Sequence, residues 1–242
     1  MSFLYELFGS ILKALYEWIG SYGWAIVLFA IFAKVITIPF TVKQQRSMQL
    51  MTLLAPAQEV IQKKYAKDQV KQQQELQKLY QKYNYNPLSG CLPLLIQFPI
   101  IIGLWGALRL PETYVFTAEE YALVSQKFLW IANMALSPVD LFKAGDFKAE
   151  FFLSLILPIL SVVLTIIQQK KSAKSSPQNE QTKFMTMFMT VFIGYIGFTF
   201  NQGLALYWTL QTGLGLIQNF IMDKFFPLKI EAPKIVKKGT RS

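Results

Sequence analysis

The stretch from Tyr22 to Val42 constrains this chain more than any other. It reads Trp24-Ala-Ile-Val-Leu-Phe-Ala-Ile-Phe-Ala-Lys34-Val-Ile-Thr-Ile-Pro39-Phe40. A helix of roughly 20 apolar residues crosses the hydrocarbon core of a bilayer. Yet Lys34 sits near the middle of this one, where a Lys costs roughly 2.5–3.5 kcal/mol on insertion. The run is apolar enough to carry that cost. The ammonium must then face a bundle interior or a wet cavity, not lipid. Snorkelling to an interface is the bland alternative, but Lys34 lies too deep between Trp24 and Lys43 for an easy reach either way.

Composition places the rest of the chain in the same setting. Of 242 residues, 53 % are hydrophobic and only 16 % charged, too apolar for an ordinary soluble domain. Further apolar runs of spanning length lie at 88–108, 151–169 and 183–222, the last holding two spans around Asn201-Gln202-Gly203. That turn is so short that the two must be antiparallel neighbours. The expected fold is an all-α polytopic membrane protein with five transmembrane helices around a charged interior. Small residues, Gly194 and Gly197 on one helix and Gly213 and Gly215 on the next, permit close contact. Met185, Met187 and Met189 read as soft packing.

Several chemistries are excluded. The chain has no His, so His acid–base catalysis and His metal ligation are absent. It has one Cys, Cys91, hence no internal disulfide, and this residue reads as a small buried one. Neither GxxxxGK[ST] nor GxGxxG occurs, and no catalytic constellation or specific nucleic-acid site is visible. The chain is expected to be no enzyme and to need no cofactor.

The segments between the spans differ in character. Residues 1–21 form an amphipathic helix, with Leu4, Leu7, Phe8, Ile11, Leu15, Trp18 and Ile19 on one face and Glu6, Ser10, Lys13 and Glu17 on the other; a helix lying in the membrane interface is expected. Glu6 and Lys13 interrupt the run that a signal peptide would need. Residues 43–87 are rich in Gln and Lys. Thin stripes at Val60, Ile61 and Tyr65 and at Leu76, Leu79, Tyr80 and Tyr83, a helix start at Pro56 and a turn near Lys67-Asp68 predict a helical hairpin. It reads equally as a partner site and as a solvated connector. Residues 109–150 form a long connector whose Phe128–Leu136 stretch, with Trp130, fits an interfacial segment. Residues 170–182 make a short basic loop, and 223–242 a basic tail, polar after Pro227 and expected to be disordered.

Charge sets the orientation. Segment 43–86 carries eight Lys or Arg against three acids, whereas 109–150 carries four against six. With the loop 170–182 and the tail, all three basic segments fall on one side, which the positive-inside rule makes cytoplasmic. The N-terminus is then outside and the C-terminus inside.

Gln97 in the second span is polar at depth; a place beside Lys34 and a hydrogen bond to a neighbouring helix fit it equally. The stretch around it, Asn86-Pro87-Leu88-Ser89-Gly90-Cys91-Leu92-Pro93-Leu94-Leu95-Ile96-Gln97-Phe98-Pro99, resembles the most recognisable segment of the YidC/Oxa family of membrane protein insertases. Tyr22-Gly23-Trp24 through Ile38-Pro39-Phe40 and Lys43-Gln44-Gln45-Arg46 is similar to that family's first core span and its exit. Leu157-Pro158-Ile159-Leu160 with Gln169-Lys170 is similar to its third span, and Gly203-Leu204-Ala205-Leu206-Tyr207-Trp208 to the start of its fifth. The likeness covers nearly the whole chain from about residue 20, and is to short bacterial forms without a large extracytoplasmic domain.

The resemblance implies a plasma-membrane insertase and chaperone that uses no nucleotide. In the family, a hydrophilic groove opens to the cytoplasm and to lipid. Its positive charge draws in the polar extracytoplasmic part of a nascent membrane protein, whose apolar segment slides along the outer spans into the bilayer. Lys34 would supply the charge, where the family usually carries Arg. Gln97 and Gln168 or Gln169 would line the groove, and Tyr207 and Trp208 would border it; an interfacial aromatic belt competes for those two. The hairpin 43–87 and the tail 223–242 would engage clients, the ribosome or the Sec translocon. A small ion channel or proton-coupled transporter using Lys34 is the rival class, and an assembly factor that chaperones without inserting is a second.

Overall fold

The computed structural model describes residues 2–86, 92–145, 147–173 and 180–226. The described residues are mostly helical, and no strand is formed among them. The helices are α1 (Ser2–Ile19), α2 (Tyr22–Lys64), α3 (Gln69–Lys82), α4 (Leu92–Arg109), α5 (Pro111–Tyr114), α6 (Ala118–Leu123), α7 (Pro138–Lys143), α8 (Ala149–Ser154), α9 (Ile156–Ala173), α10 (Glu180–Thr199) and α11 (Gln202–Phe225). Those at the predicted spans are α2, α4, α9, α10 and α11. Two stretches of the described residues, Tyr22–Lys64 and Ala149–Lys170, are long and apolar enough to cross a membrane. Cys91, the loop beyond Ala173 and the tail beyond Phe226 lie outside the described residues.

The bundle core forms where α2, α4 and α11 meet. Ile26, Phe29, Leu104, Leu204 and Tyr207 are fully buried there. Helix α11 joins α2 on one side and α9 on the other, and α10 packs outside α9. Small residues permit these approaches, as expected. A Cβ on Gly197 would stand 3.2 Å from the Cα of Pro158. Asn201 opens α11: its side-chain oxygen accepts from the Leu204 N–H at 3.0 Å, and its amide donates to the Leu108 carbonyl at 2.7 Å.

One expectation needs correction. Helix α2 does not end near the bilayer exit and restart at Pro56. It runs unbroken for 43 residues through Pro39 and Pro56. Each proline removes a single N–H from the ladder, and the turns on either side hold the helix together. Within Phe128–Leu136, Phe128, Ile131 and Met134 are buried, while Leu129, Trp130 and Leu136 stay exposed. Phe128 packs edge-on to Trp24, and the carbonyls of Met134 and Leu136 accept from Gly203 and Gln202 at the start of α11. The connector therefore caps the bundle. Helix α1 turns one face to α4 and α2 and buries Leu12 and Gly9, the latter against Tyr114 of α5. Its rings of Tyr5 and Phe8 enter notches at Gly106 and Gly103, while Leu7, Trp18 and Ile19 stay exposed.

The turn at Lys67-Asp68 forms as expected. Asp68 caps α3 by accepting from the Lys71 N–H at 3.0 Å, and α3 folds back along α2.

Candidate functional site

A cavity of about 250 Å³ lies between α2, α4, α9 and α11. Its wall follows from helical spacing. On α2, Lys34, Thr37, Thr41 and Gln44 recur every three or four residues and so share one face. On α11, Trp208, Gln211, Gly215 and Gln218 do the same. Gln97 enters from α4 and Gln168 from α9.

Lys34 is half-buried, and its Nζ lies over Gly215 of α11, where a Cβ would be 3.7 Å away. The ion pairs of the described residues join Lys13 to Glu120, Lys63 to Glu59 and Lys78 to Glu75, and none involves Lys34. No carboxylate lines the cavity among the described residues. Its other polar groups are amides and hydroxyls, set beside Phe40, Met48 and Trp208.

Those groups stitch the helices together. The Gln211 amide donates to the Ala30 carbonyl at 2.8 Å, and the Gln218 amide to the Thr41 hydroxyl at 2.7 Å. Near the far end of the cavity, Gln45 and Gln49 donate to the Asp223 carboxylate at 3.2 and 3.0 Å. The Gln97 amide donates to the Tyr207 hydroxyl at 3.0 Å, and that hydroxyl also shares a hydrogen bond with the Gln211 side chain. Thr37 and Thr41 return their hydroxyls to carbonyls of their own helix.

The sequence-derived residues thus fall into three groups. Lys34, Gln97, Gln168 and Trp208 line one cavity. Tyr207 is fully buried behind it and touches it through Gln97 and Gln211. Gln169 is outside the wall: its side-chain oxygen accepts from Thr190 of α10 at 2.8 Å. Gln97 lines the cavity and also donates a hydrogen bond to a neighbouring helix. The Trp208 indole N–H is buried with no acceptor among the described residues. Thr37, Thr41, Gln211 and Gln218 were not singled out from the sequence. Their polarity at three- and four-residue steps from Lys34 and Trp208 is the signal that would have found them.

A half-buried ammonium among amides and hydroxyls offers an acidic or hydrogen-bonding group partners away from bulk water. Comparison with known proteins gives this arrangement its context. The family model described as 60Kd inner membrane protein matches residues 14–229. The YidC membrane protein insertase of Fusobacterium nucleatum is 33 % identical over 229 residues, covering 93 % of this chain and 99 % of that one. That of Leptospira interrogans is 34 % identical over 217 residues, covering 88 % of this chain. A crystal structure of an active YidC insertase with its first transmembrane domain resolved superposes with a TM-score of 0.62 at 30 % identity, over 88 % of this chain and 44 % of that one. The chain belongs to this family, that of the YidC/Oxa membrane protein insertases. It spans about a third of the length of the Leptospira interrogans and Helicobacter pylori relatives, 33 % and 35 %.

Proposed function

We propose that this chain inserts client membrane proteins, moving their transmembrane segments and short extracytoplasmic tails from the cytoplasm into the bilayer through the Lys34 cavity, without nucleotide. The observation that carries this reading is an ammonium with no ion-pair partner among the described residues, in a cavity whose other polar groups are amides and hydroxyls. A client carboxylate or polar backbone leaving water finds a fixed cation and hydrogen-bonding groups there instead of hydrocarbon. That lowers the desolvation barrier where it is highest. Lys34 is the charge lining the cavity among the described residues, so its wall attracts acidic segments and repels basic ones.

The accompanying topology has α2, α4, α9, α10 and α11 as five spans of a bacterial plasma-membrane protein. The N-terminus is outside, the α2–α3 hairpin and the tail 223–242 are cytoplasmic, and α1 lies on the outer interface. The basic charge of segment 43–86 supports this orientation. The hairpin, with its Lys-rich and largely exposed α3, is the surface for clients, ribosome or Sec translocon.

The test is insertion of a single-span client with an acidic extracytoplasmic tail into liposomes holding this protein alone, scored by protease protection. Lys34→Arg retains insertion and Lys34→Ala loses most of it. Equal insertion by Lys34→Ala and wild type would remove Lys34 from the mechanism. Ion flux through client-free vesicles would favour a channel instead.

A further inference from the structure

We infer that the turn Leu129-Trp130 of the connector is a lipid anchor, seated at the membrane surface where α2 and the α8–α9 stretch enter the bilayer. The inference rests on these being spans, as proposed above, and not on the Lys34 cavity.

The turn is tight and ill-suited to its residues. The Phe128 N–H donates to the Ile131 carbonyl at 2.9 Å, and the Ile131 N–H to the Phe128 carbonyl at 2.8 Å. Only Leu129 and Trp130 lie between them. Leu129 takes a φ of 52°, in the left-handed region. Two-residue turns favour Gly, Asn or Asp at such a position, because a Cβ there crowds the following carbonyl. Asn84, the other non-Gly residue with positive φ among the described residues, follows that preference. A leucine is an outlier that persists only where its surroundings hold it. The base of the hairpin does so. Phe128 and Ile131 are buried, the Phe128 ring lies where a Cβ on Gly23 would stand, and the Met134 N–H donates to the Gln126 carbonyl at 3.0 Å.

What the strained turn holds out is apolar. Leu129 is 70 % exposed and Trp130 37 %. In water a glycine or an asparagine would make the same turn without the strain, and the leucine would gain nothing. In lipid the leucine takes apolar area out of water. An indole suits the interface, with its ring toward the chains and its N–H toward the headgroups.

The position of the turn names lipid as the occupant. On one side, Phe128 packs edge-on to Trp24 in the first turn of α2, itself 51 % exposed. On the other, Trp130 shares a small cavity with Glu150 and Ser154 of α8, where the apolar stretch Ala149–Lys170 begins. Phe152 and Leu153, next to Ser154 in the chain, are exposed as well. The tip thus stands between the ends of two helices long and apolar enough to cross a membrane. Under the topology proposed above it faces the outer leaflet. Seated there, it ties the cap to the membrane surface.

The experiment reads spin-label accessibility in nanodiscs of phosphatidylethanolamine and phosphatidylglycerol, on a Cys91→Ser background so that only introduced cysteines react. Oxygen concentrates in hydrocarbon and a nickel chelate in water. Labels go at Leu129→Cys, at Phe32→Cys on the exposed face of α2, and at Glu119→Cys, exposed on α6. Oxygen should dominate over nickel at 129 and at 32, and nickel over oxygen at 119. A reading at 129 that matches 119 overturns the anchor while the span at 32 stands. Protection from both reagents at 129 also overturns it, in favour of a protein contact at the tip. Dominance of nickel at 32 overturns the span reading and the anchor with it.

Leu129→Asn gives a second test that needs no label. Asn tolerates the left-handed turn. With the tip in water it would steady the hairpin and slow tryptic cleavage after the exposed Lys127. With the tip in lipid it removes the anchor, and cleavage after Lys127 in nanodiscs should become several-fold faster than in wild type. Slower or unchanged cleavage overturns the anchor.

Discussion

The Lys34 ammonium lies against bare backbone at Gly215, where an added Cβ would stand 3.7 Å from Nζ. The absence of a side chain on α11 at this point leaves the charge room to hydrate. A methyl fits at that distance, so Gly215→Ala should insert clients nearly as well as wild type. Gly215→Leu projects into the cavity and should slow insertion roughly tenfold, about 1.4 kcal/mol in barrier height, with helix content unchanged by circular dichroism. Full insertion activity in Gly215→Leu would show that the space around the ammonium is irrelevant.

Ser161 of α9 and Thr209 of α11 share a buried hydrogen bond of 2.7 Å, and the Thr209 hydroxyl also donates to the Ala205 carbonyl at 2.7 Å. Thr209→Val has nearly the same shape and no hydroxyl, leaving Ser161 to find a partner on its own helix. Thermal unfolding in detergent should show a loss of about 1 kcal/mol. No change in melting temperature would mean that the α9–α11 contact rests on packing alone.

Helix α1 owes its docking to glycine. A Cβ on Gly106 would overlap the Tyr5 ring, and one on Gly103 the Phe8 ring. Gly106→Val should push α1 off α4, costing about 1–3 kcal/mol as overpacking does, and speed tryptic cleavage after Lys13. Cleavage at the wild-type rate would mean that α1 shifts along α4 without leaving it.

Lys13 of α1 and Glu120 of α6 form an ion pair at 2.9 Å. The Lys13 ammonium, with the Thr117 N–H, holds the Glu120 carboxyl below the usual carboxylate range, and Glu120 in turn raises Lys13. A depressed carboxyl stabilises the fold above its unfolded value and loses that effect as pH falls through the folded one. The stability gap between wild type and Glu120→Gln should therefore be flat from neutral to mildly alkaline pH and close in acid. The pair is solvated, so the gap is small and shrinks with salt. A gap that persists in acid would trace to the Thr117 cap instead.

Much of the site was legible in the sequence because membrane burial makes polarity conspicuous. Lys34, Gln97 and Gln168 stand out in apolar runs, and helical periodicity places such residues on interior faces. Tyr207 and Gln169 show where that reasoning stops. Polarity at depth marks a group that needs a partner, not which partner. Tyr207 found Gln97 behind the wall, and Gln169 found Thr190 on α10. Pro56 misled because a proline opens a new helix or bends an old one, and only the flanking turns decide between them. Phe128, Ile131 and Met134 turned inward unannounced, because a short apolar run reads the same at a lipid interface and in a protein core.

By itself the sequence determined the helical class, the apolar stretches, the charge asymmetry of the connecting segments and the lone cation at depth. These rest on local physics: the length of an apolar run, the cost of desolvating a charge and the period of a helix. Tertiary structure alone decided that Lys34 faces Gly215, that amides wall one cavity across four helices, that the connector caps the bundle and that α1 docks in glycine notches. Those outcomes depend on which helix faces meet, and contacts between residues as far apart as Ala30 and Gln211 are set by packing that no local pattern encodes.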